Sequence, residues 1–140
     1  MKNTKIIVLL LALLCAFSLA SCFDAPDTVA LWKDANYQID TTLGTGEKTV
    51  KVSVTAGEKT VVFTINTNAQ TLGSALLDNG IVEGENGAYG LYIKRVNGIL
   101  ADYDIDQSYW GFYQNGEMMM TGVDGTAIAG GESFELVYEK

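Results

Sequence analysis

Histidine is absent from all 140 residues, and proline appears once. Without histidine the chain lacks the usual general base near neutral pH and the commonest transition-metal ligand. Ser-His-Asp and Cys-His arrangements are excluded with it. Cysteine is scarce, with only Cys15 and Cys22. Positive charge is also scarce: nine Lys or Arg stand against seventeen Asp or Glu, for a formal net charge of −8. Lys94-Arg95 is the only adjacent basic pair. Binding a polyanionic duplex needs basic clusters, so nucleic acid is not an expected partner. No S-x-x-K string and no phosphate-binding glycine motif occur. Nothing orders the acids into a glycosidase pair, and the chain is short for a deep cleft. The chain therefore reads as a binding module and not as an enzyme.

Long apolar runs are missing except at the start, MKNTKIIVLLLALLCAFSLASC. Lys2 and Lys5 precede the apolar run Ile6 to Leu14, whose character continues to about Leu19. A positive, apolar, small-residue order is the layout of a secretion signal. Leu19-Ala20-Ser21-Cys22 resembles the lipobox of bacterial lipoproteins. The resemblance implies a signal peptide over 1–21 and lipid on Cys22, which holds the protein to the cell envelope outside the cytoplasm. Cys15 would leave with the signal. The remaining residues, without Lys2 and Lys5, carry seven bases against seventeen acids, a net charge of −10. Without a disulfide they must be held by their core alone.

Residues 22–46 have poor periodicity and are expected to be a lipidated N-terminus and tether. Trp32 and Tyr37 either pack on the domain or stay loose. From residue 47 the pattern sharpens. Val50, Val52 and Val54 alternate with Lys51 and Ser53; Val61, Phe63 and Ile65 repeat the alternation after an AGEK turn. Both read as half-buried strands. Leu72, Ala75 and Leu76 fall at helical spacing, with Thr71 as a cap and Asn79-Gly80 as a stop. Glu83 to Gly87 reads as a polar loop, and Tyr89 to Val96 as a strand ending in the turn Asn97-Gly98. Phe134, Leu136 and Tyr138 alternate in a final strand. The sum is an α+β, mainly β domain over 47–140, a small antiparallel sheet fold of about six strands and one short helix.

YWGFYQNGEMMMTG, Tyr109 to Gly122, is the richest stretch. Asn115-Gly116 between apolar runs is a strong hairpin signal. Centring the turn there pairs Tyr113 with Met118, Phe112 with Met119 and Gly111 with Met120. One face then carries Trp110, Phe112 and Met119, read as core. The other carries Tyr113, Met118 and Met120, with Tyr109 beyond and a gap at Gly111. These read equally as core or as an exposed ligand-binding surface, since Tyr supplies contact area and Met adapts its shape.

YWGFYQNGE followed by GVDGTAIAGGESFELVY resembles the DUF4430 family, the transcobalamin-like C-terminal domain. SALLDNG, Ser74 to Gly80, is similar to its helix, and Ile93 to Gly98 to its strand ending in Asn-Gly. The resemblance covers about Lys48 to Glu139. It implies a small β-grasp-like fold in which Trp110, Phe112, Asn115 and Gly116 are structural. It also implies a corrinoid, or another small apolar ligand, presented to a membrane transporter. Vertebrate relatives close their ligand with a second domain, and none is expected here. The three consecutive methionines depart from the family pattern. A structural or adhesion module contacting surface proteins or glycans is the alternative.

Asp102, Asp104 and Asp106 alternate in DYDID. In a loop they would share calcium and make the domain a calcium-stabilised spacer. In a strand they would form a solvated acidic edge with Tyr103 and Ile105 inward. The EF-hand pattern fails, because its required glycine is Gln107 and its required glutamate is Tyr113. No cofactor is required by this reading.

Overall fold

The computed structural model describes residues 26–140. The signal and Cys22 lie outside them. Thr28–Trp32 forms helix α1. Thr41–Gly44 is β1, Lys48–Ala56 β2 and Lys59–Thr67 β3. Leu72–Asp78 is α2. Val82–Gly87, Gly90–Val96 and Ile99–Leu100 are β4, β5 and β6. Tyr103–Asp106 is the helical turn α3, followed by β7 at Tyr109–Gln114 and β8 at Glu117–Met118. A 3-10 turn at Val123–Gly125 leads to β9 at Ser133–Glu139.

The strands form two sheets. The larger runs β1-β3-β2-β9-β7-β8, and the smaller runs β4-β5-β6. At the centre of the larger sheet β2 and β9 are parallel, with Val52 opposite Phe134. Each has an antiparallel neighbour, β3 and β7. A hairpin, a helix and a second hairpin around two parallel central strands make a β-grasp-like arrangement. The mainly β fold is the expected one, though the described residues hold nine strands and three short helices where about six and one were expected. The additions have few residues or no apolar alternation to announce them. β4 is the expected polar loop Glu83–Gly87. It is an edge strand exposed on both faces after Val82, so its register comes from the ladder to β5 and not from burial.

Alternation sorts the large sheet into a dry face and a wet one. Val50, Val52, Val54, Phe63, Ile65, Phe134, Leu136 and Trp110 point to the buried side. Helix α2 covers them with Leu72, Ala75 and Leu76. Thr71 caps this helix by accepting from the Ser74 N–H at 3.3 Å. A helix of this length is stable only because it is packed. Ile81, Val82, Val96 and Ile99 of the smaller sheet region close the same core.

Packing begins well before residue 47. Trp32 is buried, and its indole N–H donates to the Ala56 carbonyl at 2.9 Å. Tyr37 meets Phe63 edge to face at 5.6 Å. Buried Asn97 holds this segment by both ends of its amide. Its Oδ1 accepts from Tyr37 N–H at 2.9 Å and its Nδ2 donates to the Tyr37 carbonyl at 2.8 Å. β1 then adds parallel to β3. Among the described residues, no helix is long and apolar enough to cross a membrane.

Candidate functional site

The hairpin at Asn115-Gly116 has both turn residues at positive φ, 53° and 76°. This is the geometry that Asn-Gly accommodates best. The register is the one expected for its first rungs, Gln114 opposite Glu117 and Tyr113 opposite Met118. The Met119 N–H donates to the Phe112 carbonyl at 2.9 Å, and the ladder stops there. The Gly111–Met120 pair expected from the turn does not form. The chain swings toward the 3-10 turn instead, so Met120 leaves the face it would share with Met118.

This departure creates a hollow. Strand β5 with Leu91, Tyr92 and Ile93 forms one wall. Trp110 and Phe112 form the floor, and Met119 to Val123 form the other wall. Tyr109 and Met120 stand at its edge. The space is about 290 Å³ and its lining is chiefly apolar. Trp110 donates its indole N–H to the Ile99 carbonyl at 3.3 Å and meets Tyr138 edge to face at 5.7 Å. Phe112 lies 5.7 Å from Phe134. Both rings thus belong to the core and also floor the hollow.

Asp124 sets the far wall. Its carboxylate accepts from the Leu91 N–H at 3.1 Å. Glycine is required on both sides of it: a Cβ at Gly90 would stand 2.4 Å from Asp124 Oδ2, and one at Gly73 2.7 Å from its Cα. The Gly-Val-Asp turn therefore ties helix α2 to strand β5. Tyr92, Met119 and Asp124 do not stand out in the sequence as site residues. The only signal for them is the turn that follows the hairpin.

The expected ligand residues are divided by the sheet. Tyr109, Gly111 and Tyr113 lie on one strand, but the gap at Gly111 is not a hollow. The Tyr113 ring folds back over it, so a Cβ at Gly111 would lie 2.7 Å from Tyr113 Cε2. The Tyr113 hydroxyl donates to Glu139 Oε1 at 2.8 Å. That carboxylate, with partial burial adding to it, raises the phenol above the ordinary tyrosine range. Met118 is 55% exposed on the wet face, away from the hollow, and Met120 is 97% exposed at the hollow's edge. Of the five residues, Tyr109 and Met120 border the apolar space; Gly111, Tyr113 and Met118 do not.

Asp102, Asp104 and Asp106 are neither a loop nor a strand. They form a capped helical turn, and Tyr103 and Ile105 are exposed. Asp102 caps the turn by accepting from the Asp104 N–H at 3.0 Å. Asp106 accepts from the Ser108 N–H and hydroxyl, and lies 3.5 Å from Lys140 Nζ. The Ser108 bonds hold the Asp106 carboxyl below its ordinary range. Asp102 and Asp106 are thus committed separately, one to the cap and the other to Ser108 and Lys140. Among the described residues, no three acidic side chains are gathered to hold a metal ion. The calcium site suggested by the spacing is not assembled.

A β-grasp-like sheet thus carries a helix on one face and an apolar hollow at the edge of the second sheet. The DUF4430 family, described as a domain of unknown function, matches residues 69–140, and the chain belongs to it. A crystal structure of a candidate metal-binding protein from Ruminococcus gnavus ATCC 29149 is 37% identical, with a TM-score of 0.63; the match covers 67% of this chain and 98% of that one. Haptocorrin in complex with Cbi is 21% identical, with a TM-score of 0.55, which shows a shared fold. That match covers 70% of this chain but only 26% of haptocorrin. No curated protein matches the chain.

Proposed function

We propose that this protein is a non-enzymatic, lipid-anchored binding module of the cell envelope. Its hollow takes one apolar face of a small ligand, a corrinoid or a related flat molecule, and presents it to a membrane transporter. The observation that carries the reading is the hollow itself: aromatic and thioether side chains converge there with few polar groups. At about 290 Å³ it lies just below the range for small-molecule sites, roughly 300 Å³ upward. A large ligand would enter it only in part. Met119 and Met120 suit such partial contact, because thioether side chains adapt to irregular surfaces. The fold shared with haptocorrin, whose structure contains Cbi, supports the ligand class.

The test is calorimetric titration of the domain with cobalamin, cobinamide and simpler tetrapyrroles, with tryptophan emission followed in parallel. Trp110 floors the hollow, whereas Trp32 is buried in helix α1 and does not line it, so ligand should quench only part of the emission. No heat and no emission change at millimolar concentration, for any of these compounds, would refute the corrinoid reading. A second reading, an adhesion module for surface proteins or glycans, is favoured by the fully exposed ring of Tyr89 and the outward Met118. It predicts partners retained without any small molecule.

A further inference from the structure

One end of the large sheet collects exposed apolar side chains, and it is the end at which the described chain begins. β2 and β9 run parallel, with Thr55 opposite Val137, so the turn Gly57-Glu58 and the last residues of β9 share one rim. Helix α1 is fixed to that rim: the Glu58 N–H donates to Thr28 Oγ at 2.9 Å, and Gly57 leaves no room for a Cβ beside Thr28. Residues 38–40 lie there too, since Lys59 Nζ donates to Gln38 and the Val62 N–H to Asp40. On the far side α3 is held to the same rim through Asp106 and Lys140. Val29, Ile39, Tyr103 and Ile105 are all largely exposed along it. The hairpin turn Asn115-Gly116 is at the opposite end.

We propose that this rim rests on a lipid surface, with Val29, Ile39, Tyr103 and Ile105 dipping into the headgroup layer. The proposal rests on lipidation of Cys22. The argument is one of reach. Only three residues lie between Cys22 and Pro26, and even a fully extended chain spans only about 14 Å over those four steps. An acylated Cys22 would hold the α1 end of the sheet against the bilayer. Exposed Val and Ile there gain by leaving water, and Tyr favours the interface. Charge does not drive the contact: Asp27, Glu58, Asp104, Asp106 and Glu139 outnumber Lys59 and Lys140 on this rim. The surface is therefore apolar in its attraction, and anionic lipid should weaken it.

The experiment uses the full mature lipoprotein in phosphatidylcholine vesicles. Mass spectrometry first establishes whether Cys22 is acylated. Val29→Cys, Ile105→Cys and Glu117→Cys, all at exposed positions, then carry an environment-sensitive fluorophore, and the vesicles carry a nitroxide-labelled lipid. The labels at 29 and 105 should shift to the blue and be quenched, while the label at 117 beside the hairpin turn does neither. Raising the fraction of phosphatidylglycerol at low salt should reduce the quenching. Acylated protein in which 29 and 105 are quenched no more than 117 would overturn the rim contact and leave the anchor standing. Quenching that grows with phosphatidylglycerol would overturn its apolar basis. Absence of acyl on Cys22 would overturn the anchor and this proposal together.

Discussion

Gly111 and Tyr113 show how one missing side chain is used by its neighbour. Gly111→Ala places a Cβ against the Tyr113 ring, and on an exposed face that ring can swing away. The loss should be about 1 kcal/mol, the worth of the Tyr113–Glu139 hydrogen bond. The same bond has a pH signature. A tyrosine whose pKa is raised in the folded state stabilises it below the unfolded value and loses that contribution as pH rises through the folded one. Absorbance titration of the wild type against Tyr113→Phe should show one phenol ionising above the ordinary tyrosine range, and Glu139→Gln should bring it back down. Glu132 works in the opposite direction. Its carboxylate accepts from the Ala129 and Gly130 N–H groups and lies below its ordinary pKa, chiefly through the Ala129 bond. Its contribution is present above the unfolded value and fades as pH falls through the folded one. Glu132→Gln should therefore destabilise the protein near neutral pH, by about 1 kcal/mol in denaturant titrations. The difference should shrink on acidification below about pH 4.

Among the elements, the N-terminal segment was the least legible in sequence. Its contributions are single residues without a period: Trp32 in the core, Tyr37 on Phe63 and Asn97 reaching across from a turn. Nothing in local spacing announces a hydrogen bond between residues sixty positions apart. By contrast β2, β3, α2 and β9 were readable because alternation or helical spacing reflects burial on one face. The hairpin turn was readable too, but its function was not. Simple alternation would place Met120 on the wet face. It borders the hollow only because the ladder ends after Met119. Asn97→Ala removes two hydrogen bonds to Tyr37 and leaves its backbone groups unpaired. A loss of about 2–3 kcal/mol is expected. Limited proteolysis should then cut first within residues 33–40, ahead of the sheet. An unchanged cleavage pattern would show that the remaining contacts hold the segment without Asn97.

For the whole molecule, the two sheets matter more than any single strand. The larger one provides a floor already stabilised as core, and the smaller one supplies a wall through β5, tied by Asp124. A rigid floor with an adaptable methionine edge limits the ordering cost of binding. The two exposed methionines separate binding from stability. Met118→Asp and Met120→Asp should each change stability by no more than about 0.5 kcal/mol, as expected for exposed positions. Only Met120→Asp places a charge at the hollow. The most direct measurement is therefore recovery of the protein from its native host, followed by mass spectrometry of the small molecules that accompany it. A ligand with an apolar face should accompany the wild type and Met118→Asp, and be lost from Met120→Asp. Equal recovery from all three proteins, or no enriched small molecule from the wild type, would contradict a binding role for the hollow.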